Sequence, residues 1–137
     1  MNPRTLRTGI ATRLKTIKGL TVYERWPGQL NPPCAVVDVL EAEPEQVMGR
    51  GDLTRWTVNV HLFMSLAAGP ENAQDRLDPL LATSSTGGVF GAIAADRTLG
   101  GIAHATFIKG HSDYMPYVID ENISYEGVRT ELEVWAS

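Results

Sequence analysis

Apolar residues recur at helical spacing near the start of the chain. They are separated by four, four and three positions, which is typical of one face of an amphipathic helix: Leu6, Ile10, Leu14 and Ile17. Asn2 fits an N-cap and Pro3 the first helical position, while Gly19 fits a left-handed C-cap. The pattern predicts a helix over residues 3–18.

Two later segments alternate between apolar and polar residues, which predicts strands with one face against a core. In residues 54–65 the inward positions are Trp56, Val58, Val60, Leu62 and Met64. In residues 128–136 they are Val128, Thr130, Leu132, Val134 and Ala136. We expect Gly127 to mark a bulge where the last strand starts. His61 falls on the polar face, where a sheet residue is a better interpretation than a ligand.

Shorter apolar runs predict strands over residues 20–24, 35–40 and 102–110. Residues 41–53 are polar and rich in proline and glycine, so we expect a long loop or a hairpin tip there. Residues 112–124 predict a loop or a short hairpin with its turn at 120–122.

Two helices are predicted in the middle of the chain. One starts at Pro70 and carries an apolar stripe, with a kink or break expected near Asp78 because Pro79 interrupts it. The other covers residues 89–96, after a Ser/Gly-rich linker at 84–88. Because strands and helices fall in separate runs, we predict a single α+β domain over residues 1–137. Its antiparallel or mixed sheet is flanked by an N-terminal helix and two central helices.

Composition and charge narrow the classes of function. The chain has 137 residues, 43% of them hydrophobic, and no apolar run approaches the length that spans a bilayer, so we expect no membrane association and no secretion signal. Residues 1–18 carry five cations and no acid, whereas the whole chain has a net charge of −4, so the remainder carries −9. The basic segment is either a solvated helix face or a surface for an acidic neighbour or nucleic acid. The pI near 5.3 argues against a dedicated nucleic-acid binder.

The residue types that carry catalysis or bind metals do not group in this sequence. The three histidines form no metal-binding spacing, and the single cysteine, Cys34, lies in an apolar run and is interpreted as a buried hydrophobe. Neither GxSxG, GxxxxGK[ST] nor a GxGxxG after a strand is present. Asp75 and Asp78 stand one helical turn apart but suit a solvated face. We therefore expect no enzyme activity, no cofactor and no metal.

A stiff connector joins the first two strands. Residues 24–33 contain Trp26-Pro27 and Asn31-Pro32-Pro33. A tryptophan in such a loop either covers the core or contacts a partner. The same alternative holds for several other aromatic residues: Tyr23, Tyr114, Tyr117 and Trp135.

The segment GIATRLKTIKGLTVYERWPGQLNPPCAVV resembles the N-terminal signature of tail terminator proteins from long-tailed phages and prophages of actinobacteria. NAQDRLDPLLATSSTGGVFGAIAADRTLGG and YEGVRTELEVWA are similar to the central helices and closing strand of that family, so the resemblance covers most of the chain.

The resemblance implies a structural virion protein at the head-tail interface, assembled in the host cytoplasm. It would form a homohexameric ring on the head-proximal end of the tail tube and stop tube polymerisation. Its partners would be its own copies, the tail tube protein and the head-completion or connector protein, with DNA only as cargo passing through the lumen. The interface residues expected on this basis are Arg4, Arg7, Arg13, Trp26, Pro27, Asn31, Arg50, Tyr114, Tyr117 and Trp135.

Other readings remain open at this stage. A head-side connector or stopper would also assemble as a ring in the virion. Binding to a portal complex rather than to tail tubes would distinguish a connector from a tail terminator. A small nucleic-acid module is favoured only by the basic first helix, and salt-dependent DNA binding would support it. A small enzyme ranks last, because no nucleophile, base and orienting group converge on one segment.

Overall fold

The first helix begins as the sequence predicts. In this computed structural model, which describes residues 2–46, 52–66, 69–82, 88–120 and 123–136, the Asn2 side chain accepts a hydrogen bond from the Thr5 N–H at 2.9 Å. The regular helix ends at Leu14, earlier than predicted, and tighter turns continue to Gly19, whose φ of +79° confirms the left-handed position.

The elements follow the predicted order of one helix, three strands, two helices and further strands. They are α1 (Pro3–Leu14), β1 (Thr21–Tyr23), β2 (Cys34–Gln46), β3 (Asp52–Ser65), α2 (Pro70–Leu81), α3 (Val89–Ala94), β4 (Ala105–His111), β5 (Met115–Asp120) and β6 (Ile123–Ala136). The α+β single-domain prediction is confirmed.

The sheet is mixed. Its strand order is β1-β2-β3-β6-β4, and β5 pairs with the part of β6 that β4 leaves uncovered. Only the β1–β2 pairing is parallel among the described strands; the others are antiparallel. The central pair β3–β6 runs in regular register from Thr54↔Ala136 to Ser65↔Tyr125.

The alternation read from the sequence sets the two faces of this sheet. The buried apolar residues at even-numbered positions of β3 and β6 belong to one core with apolar residues of all three helices, among them Leu6, Ile10 and Leu14 of α1. Burying these side chains is worth about 1.5–3 kcal/mol each, so this core is the principal stabilising element.

Four further details of the structure differ from the sequence prediction or narrow it. Of the two alternatives for residues 41–53, the long loop is wrong, because residues 41–46 continue β2 and the hairpin pairing reaches Gln46↔Asp52. Residues 47–51 between these strands lie outside the described residues. Gly127 pairs regularly with Phe63 and forms no bulge. The register shifts fall instead at Val39/Glu41, Ile108/Gly110 and Val118/Asp120.

The third and fourth details concern the extent of α2 and β4. Of the kink or break expected near Asp78, the break is excluded, because helix α2 continues through Pro79 to Leu81. Its apolar face keeps Ala73 and Leu77 fully buried, and tertiary packing of that face outweighs one lost backbone hydrogen bond. Strand β4 starts at Ala105 rather than at residue 102, because turns occupy residues 98–102.

Candidate protein-protein interface

The connector between β1 and β2 folds back over the sheet face opposite the helices. Its Leu30 is only 7% exposed and joins a second small core with Cys34, Val36, Phe63 and Tyr125. The Tyr125 hydroxyl donates to the Leu30 carbonyl at 3.4 Å. At the end of the connector, Thr21 N–H donates to the Pro33 carbonyl at 3.0 Å, and the Pro32–Pro33 peptide bond is cis. The connector is thus tied to the sheet at its middle and at its end.

Trp26 lies on this connector with half of its surface in solvent. It is 50% exposed, yet its ring centroid is 4.9 Å from that of His61 and 5.9 Å from that of Phe63. The connector therefore covers the core through Leu30, while Trp26 leaves an apolar surface exposed to solvent. A large aromatic side chain held in place but half exposed is typical of residues that dominate interfaces.

A recess of about 380 Å³ opens beside Trp26 at the edge of the sheet. We call its lining the connector patch, and it consists of Arg7, Arg25, Trp26, Val37, Asp38 and Val39. Two cations and one carboxylate therefore surround an aromatic ring, which is a composition that suits a polar protein interface with an aromatic anchor.

His61 is the titratable group beneath Trp26. Burial lowers its pKa, and the neighbouring Asp38 carboxylate, 3.6 Å from Nε2, opposes that shift. The distance exceeds that of a hydrogen bond, and neither ring nitrogen has a hydrogen-bond partner among the described residues. Burial thus favours the neutral form of the imidazole, whose ring lies against the indole of Trp26.

The arginines of the first helix lie in different environments. Arg13 is partly buried and its Nε donates to the Ala92 carbonyl of α3 at 3.1 Å. Arg4 is exposed and lines a groove of about 430 Å³ between α1 and the turn at residues 96–102. Arg7 lines the connector patch. Arg13 thus has an intramolecular role, whereas Arg4 and Arg7 are available to a partner.

The remaining expected interface residues are distributed over the molecule. Pro27 is partly buried and Asn31 exposed on the connector, while Arg50 lies outside the described residues. Tyr114 is partly buried and its hydroxyl donates to the Asp78 carboxylate; burial first, and then this contact, raise the pKa of the tyrosine. Tyr117 is placed in β5 by its backbone pairing with Tyr125.

Trp135 lies far from Trp26 on the same sheet face. The Arg55 guanidinium stands 5.8 Å from the centroid of its ring and forms an ion pair with Glu43. Arg55 and His61 are six residues apart on β3, so the two tryptophans are separated by about 20 Å along the strand direction. The structure therefore brings Arg7 and Trp26 together and leaves Trp135 in a separate aromatic-cation cluster.

Two charged members of the connector patch, Arg25 and Asp38, were not anticipated from the sequence. Arg25 adjoins Trp26 in the chain, and Asp38 is the sole acid within the apolar run of residues 34–40. Both signals were visible in the sequence, but only the tertiary structure places the two residues around one recess.

The single cysteine and the three histidines lie within the described ranges. Within those ranges, no three histidine, cysteine or acidic side chains come close enough to hold a metal ion. Burial raises the pKa of the Cys34 thiol to about 11, so the thiol stays protonated and unreactive at neutral pH. Asp96 accepts hydrogen bonds from Thr98 and Gly100, which lower the pKa of its carboxyl and place it in a turn-forming role.

Comparison with known proteins adds no assignment, since no family model and no curated protein matches this chain. In the part of the chain that the structure describes, the helices are too short or too polar to cross a bilayer.

Proposed function

We propose that this protein is a ring-forming tail terminator, which caps the head-proximal end of a phage tail tube and joins the tail to the head connector. The proposal starts from the sequence resemblance, which covers most of the chain. A single α+β domain with helices against one sheet face agrees with the fold that the resemblance implies.

The observation that carries the proposal is the position of Trp26. Its indole is half exposed on a connector that is anchored to the sheet, and Arg7 and Arg25 flank it. A loop ordered before it meets a partner loses little conformational entropy on docking. Such a preformed anchor suits a subunit that assembles repeatedly with identical neighbours.

Ring closure needs two different patches on each subunit, because a head-to-tail contact joins one surface to another. The basic side of α1 and the acidic remainder of the chain provide opposite charges for such a contact. Arg4 and Arg7 are the cations to reverse, since Arg13 is engaged with the Ala92 carbonyl and its loss would also weaken the fold.

The proposal is tested by negative-stain microscopy and light scattering, with the protein alone and mixed with purified tail tubes of a long-tailed phage. We expect rings, or caps on one tube end that halt tube lengthening. Arg7→Glu should reduce capping at low salt, whereas Lys15→Glu makes the same charge change at an exposed site outside the connector patch and should retain it. A protein that ignores tubes but binds a portal complex would instead support a head-side connector.

A further inference from the structure

A group of carboxylates lies where α2 passes the start of β5. The Tyr114 hydroxyl donates to the Asp78 carboxylate and so joins the two segments. Burial raises the pKa of Tyr114, and the negative charges of Asp78, Glu126 and Asp75 raise it further. A hydroxyl on which several carboxylates act in this way lies in a negative field. We call Asp75, Asp78, Tyr114 and Glu126 the acidic site.

Glu126 is the buried member of the acidic site. It is only 4% exposed, and within the described ranges it forms neither an ion pair nor a side-chain hydrogen bond. Asp75 and Asp78 form no ion pair with the described residues either. Arg76, the one cation in the sequence of α2, lines a different recess with Lys18. A carboxylate that is buried without a cation costs free energy, which a cation from outside the chain would offset.

The spacing of these carboxylates favours an organic cation over a metal ion. In the part of the chain that the structure describes, no three acidic, histidine or cysteine side chains stand close enough to share a metal ion. An arginine side chain reaches further, because its guanidinium carries several N–H donors on a long flexible stem and binds carboxylates in a bidentate manner. The acidic site therefore suits an arginine of a partner.

The acidic site and the connector patch lie at opposite edges of the sheet. In the strand order β1-β2-β3-β6-β4, with β5 beside β6, the connector patch adjoins β2 and the acidic site adjoins β5 and β6. Opposite edges of a sheet face in opposite directions, so a row of copies can bring the connector patch of one copy to the acidic site of the next. Such a head-to-tail contact is the type that closes a ring.

The two surfaces are complementary in charge and in apolar content. The connector patch has two guanidinium groups, Arg7 and Arg25, and one carboxylate, Asp38, which leaves an excess of one positive charge. Trp26 is 50% exposed in this patch, and Met115 is 48% exposed at the start of β5, beside the acidic site. Methionine makes favourable contacts with aromatic rings. Each surface thus has the charge and the apolar group that the other needs.

The charged and apolar groups of the two surfaces also lie on matching faces of the sheet. Arg7 belongs to α1 and Asp78 to α2, and both helices pack on the same face. Met115 pairs with Gly127, an odd-numbered position of β6, so its side chain points away from the helices. Trp26 packs on that same outer face. Two copies placed side by side, with their helices on the same side, therefore align arginine with carboxylate and tryptophan with methionine.

We propose that the acidic site binds Arg7 and Arg25 of a second copy, whose Trp26 packs against Met115. This inference rests on the proposed function, because the contact is the one that joins neighbouring subunits of the ring. Glu126 then gains a cation only when copies assemble, so the cost of burying its carboxylate is offset in the ring and not in the single chain.

Exchange of charges between the two surfaces tests this contact. Arg7→Asp and Asp75→Arg should each weaken self-association of the full chain about tenfold in sedimentation velocity at low salt, because each change opposes like charges. An equal mixture of the two variants should recover association, and so should the chain that carries both changes, because opposite charges then face each other again. Glu131→Arg is the control, since Glu131 is exposed at an odd-numbered position of β6, away from the acidic site, and should associate as the original protein does.

A second measurement keeps the test decisive if Asp75→Arg does not fold. Carbodiimide coupling of Arg7→Lys, in a mixture of isotope-labelled and unlabelled chains, should link the new amine to Asp75 or Asp78 of a different chain, as mass spectrometry would show. No association up to about 1 mM at low salt, single variants that neither the mixture nor the double variant rescues, or coupling to other acids would each overturn the inference.

Capping of tail tubes is scored separately, so that failure of this contact and failure of the proposed function can be told apart. Association that depends on the exchanged charges, without capping, would support the contact and reject the tail terminator function. Capping that is unaffected by Arg7→Asp and Asp75→Arg would reject the contact and leave the proposed function standing.

Discussion

The indole of Trp26 lies across the imidazole of His61, with 4.9 Å between the ring centroids and 48° between the ring planes. Through this contact the connector between β1 and β2 rests on the middle of β3. The pair links a half-exposed aromatic side chain to a partly buried titratable group.

Trp26→Ala should abolish capping of tail tubes while the protein remains folded. Because the side chain is half exposed, we expect a loss of about 1–2 kcal/mol in the free energy of unfolding, less than for a buried tryptophan. Urea denaturation and microscopy of tube ends measure the two effects. Phe107→Ala is the matched control, since Phe107 is 46% exposed on the same sheet face but outside the connector patch. Equal loss of capping in both variants would argue against a specific role for Trp26.

His61 should make the protein less stable in mild acid. Burial holds its pKa below the value of 6.5 that it has in the unfolded chain, so the unfolded state binds the proton more readily. The free energy of unfolding should therefore be highest above pH 6.5 and decline as the pH falls from 6.5 toward the lowered pKa. Urea titrations at several pH values measure this slope, and His61→Gln should remove its share. An unchanged slope in that variant would show that other groups cause the pH dependence.

Arg13→Ala should destabilise the fold, whereas Arg4→Ala should leave it nearly unchanged. Arg13 donates a charged hydrogen bond to the Ala92 carbonyl across the α1–α3 contact, and its loss should cost about 1–2 kcal/mol. Arg4 is exposed, and substitutions at such positions usually change stability by about 0.5 kcal/mol or less. Thermal and urea unfolding of both variants decide the matter, and equal stability of the two would contradict the anchoring role of Arg13.

Gly88→Ala should destabilise the protein because two backbone carbonyls occupy the space of the new methyl group. A Cβ at Gly88 would stand 2.8 Å from the Pro79 carbonyl oxygen and 2.9 Å from that of Leu80. Relieving this overlap requires the end of α2 to move away from α3, at a cost of about 1–3 kcal/mol. Gly28→Ala is the control, since nothing lies within 4 Å of its Cβ position. Calorimetry of the two variants should show a lower melting temperature for Gly88→Ala alone.

The candidate interface was only partly predictable. The sequence drew attention to Trp26 and to the basic first helix, because a tryptophan among prolines and a run of cations are local signals. In the sequence, Arg7 and Arg13 are equivalent, because both are arginines of one predicted helix. In the structure, Arg7 lines the connector patch, whereas Arg13 donates to the Ala92 carbonyl. That distinction depends on where α3 packs.

By itself the sequence determined the elements with a strong local period and the fold class. The helix from Pro3, the inward faces of β3 and β6, and the left-handed Gly19 follow from spacing and from backbone preference, which act within a few residues. The tertiary structure alone decided where β2 ends, because the polar residues 41–46 are held as strand by pairing with β3 rather than by their own propensity. It alone also decided that β1 covers only three residues of β2, since the number of residues a neighbouring strand covers is set by long-range packing.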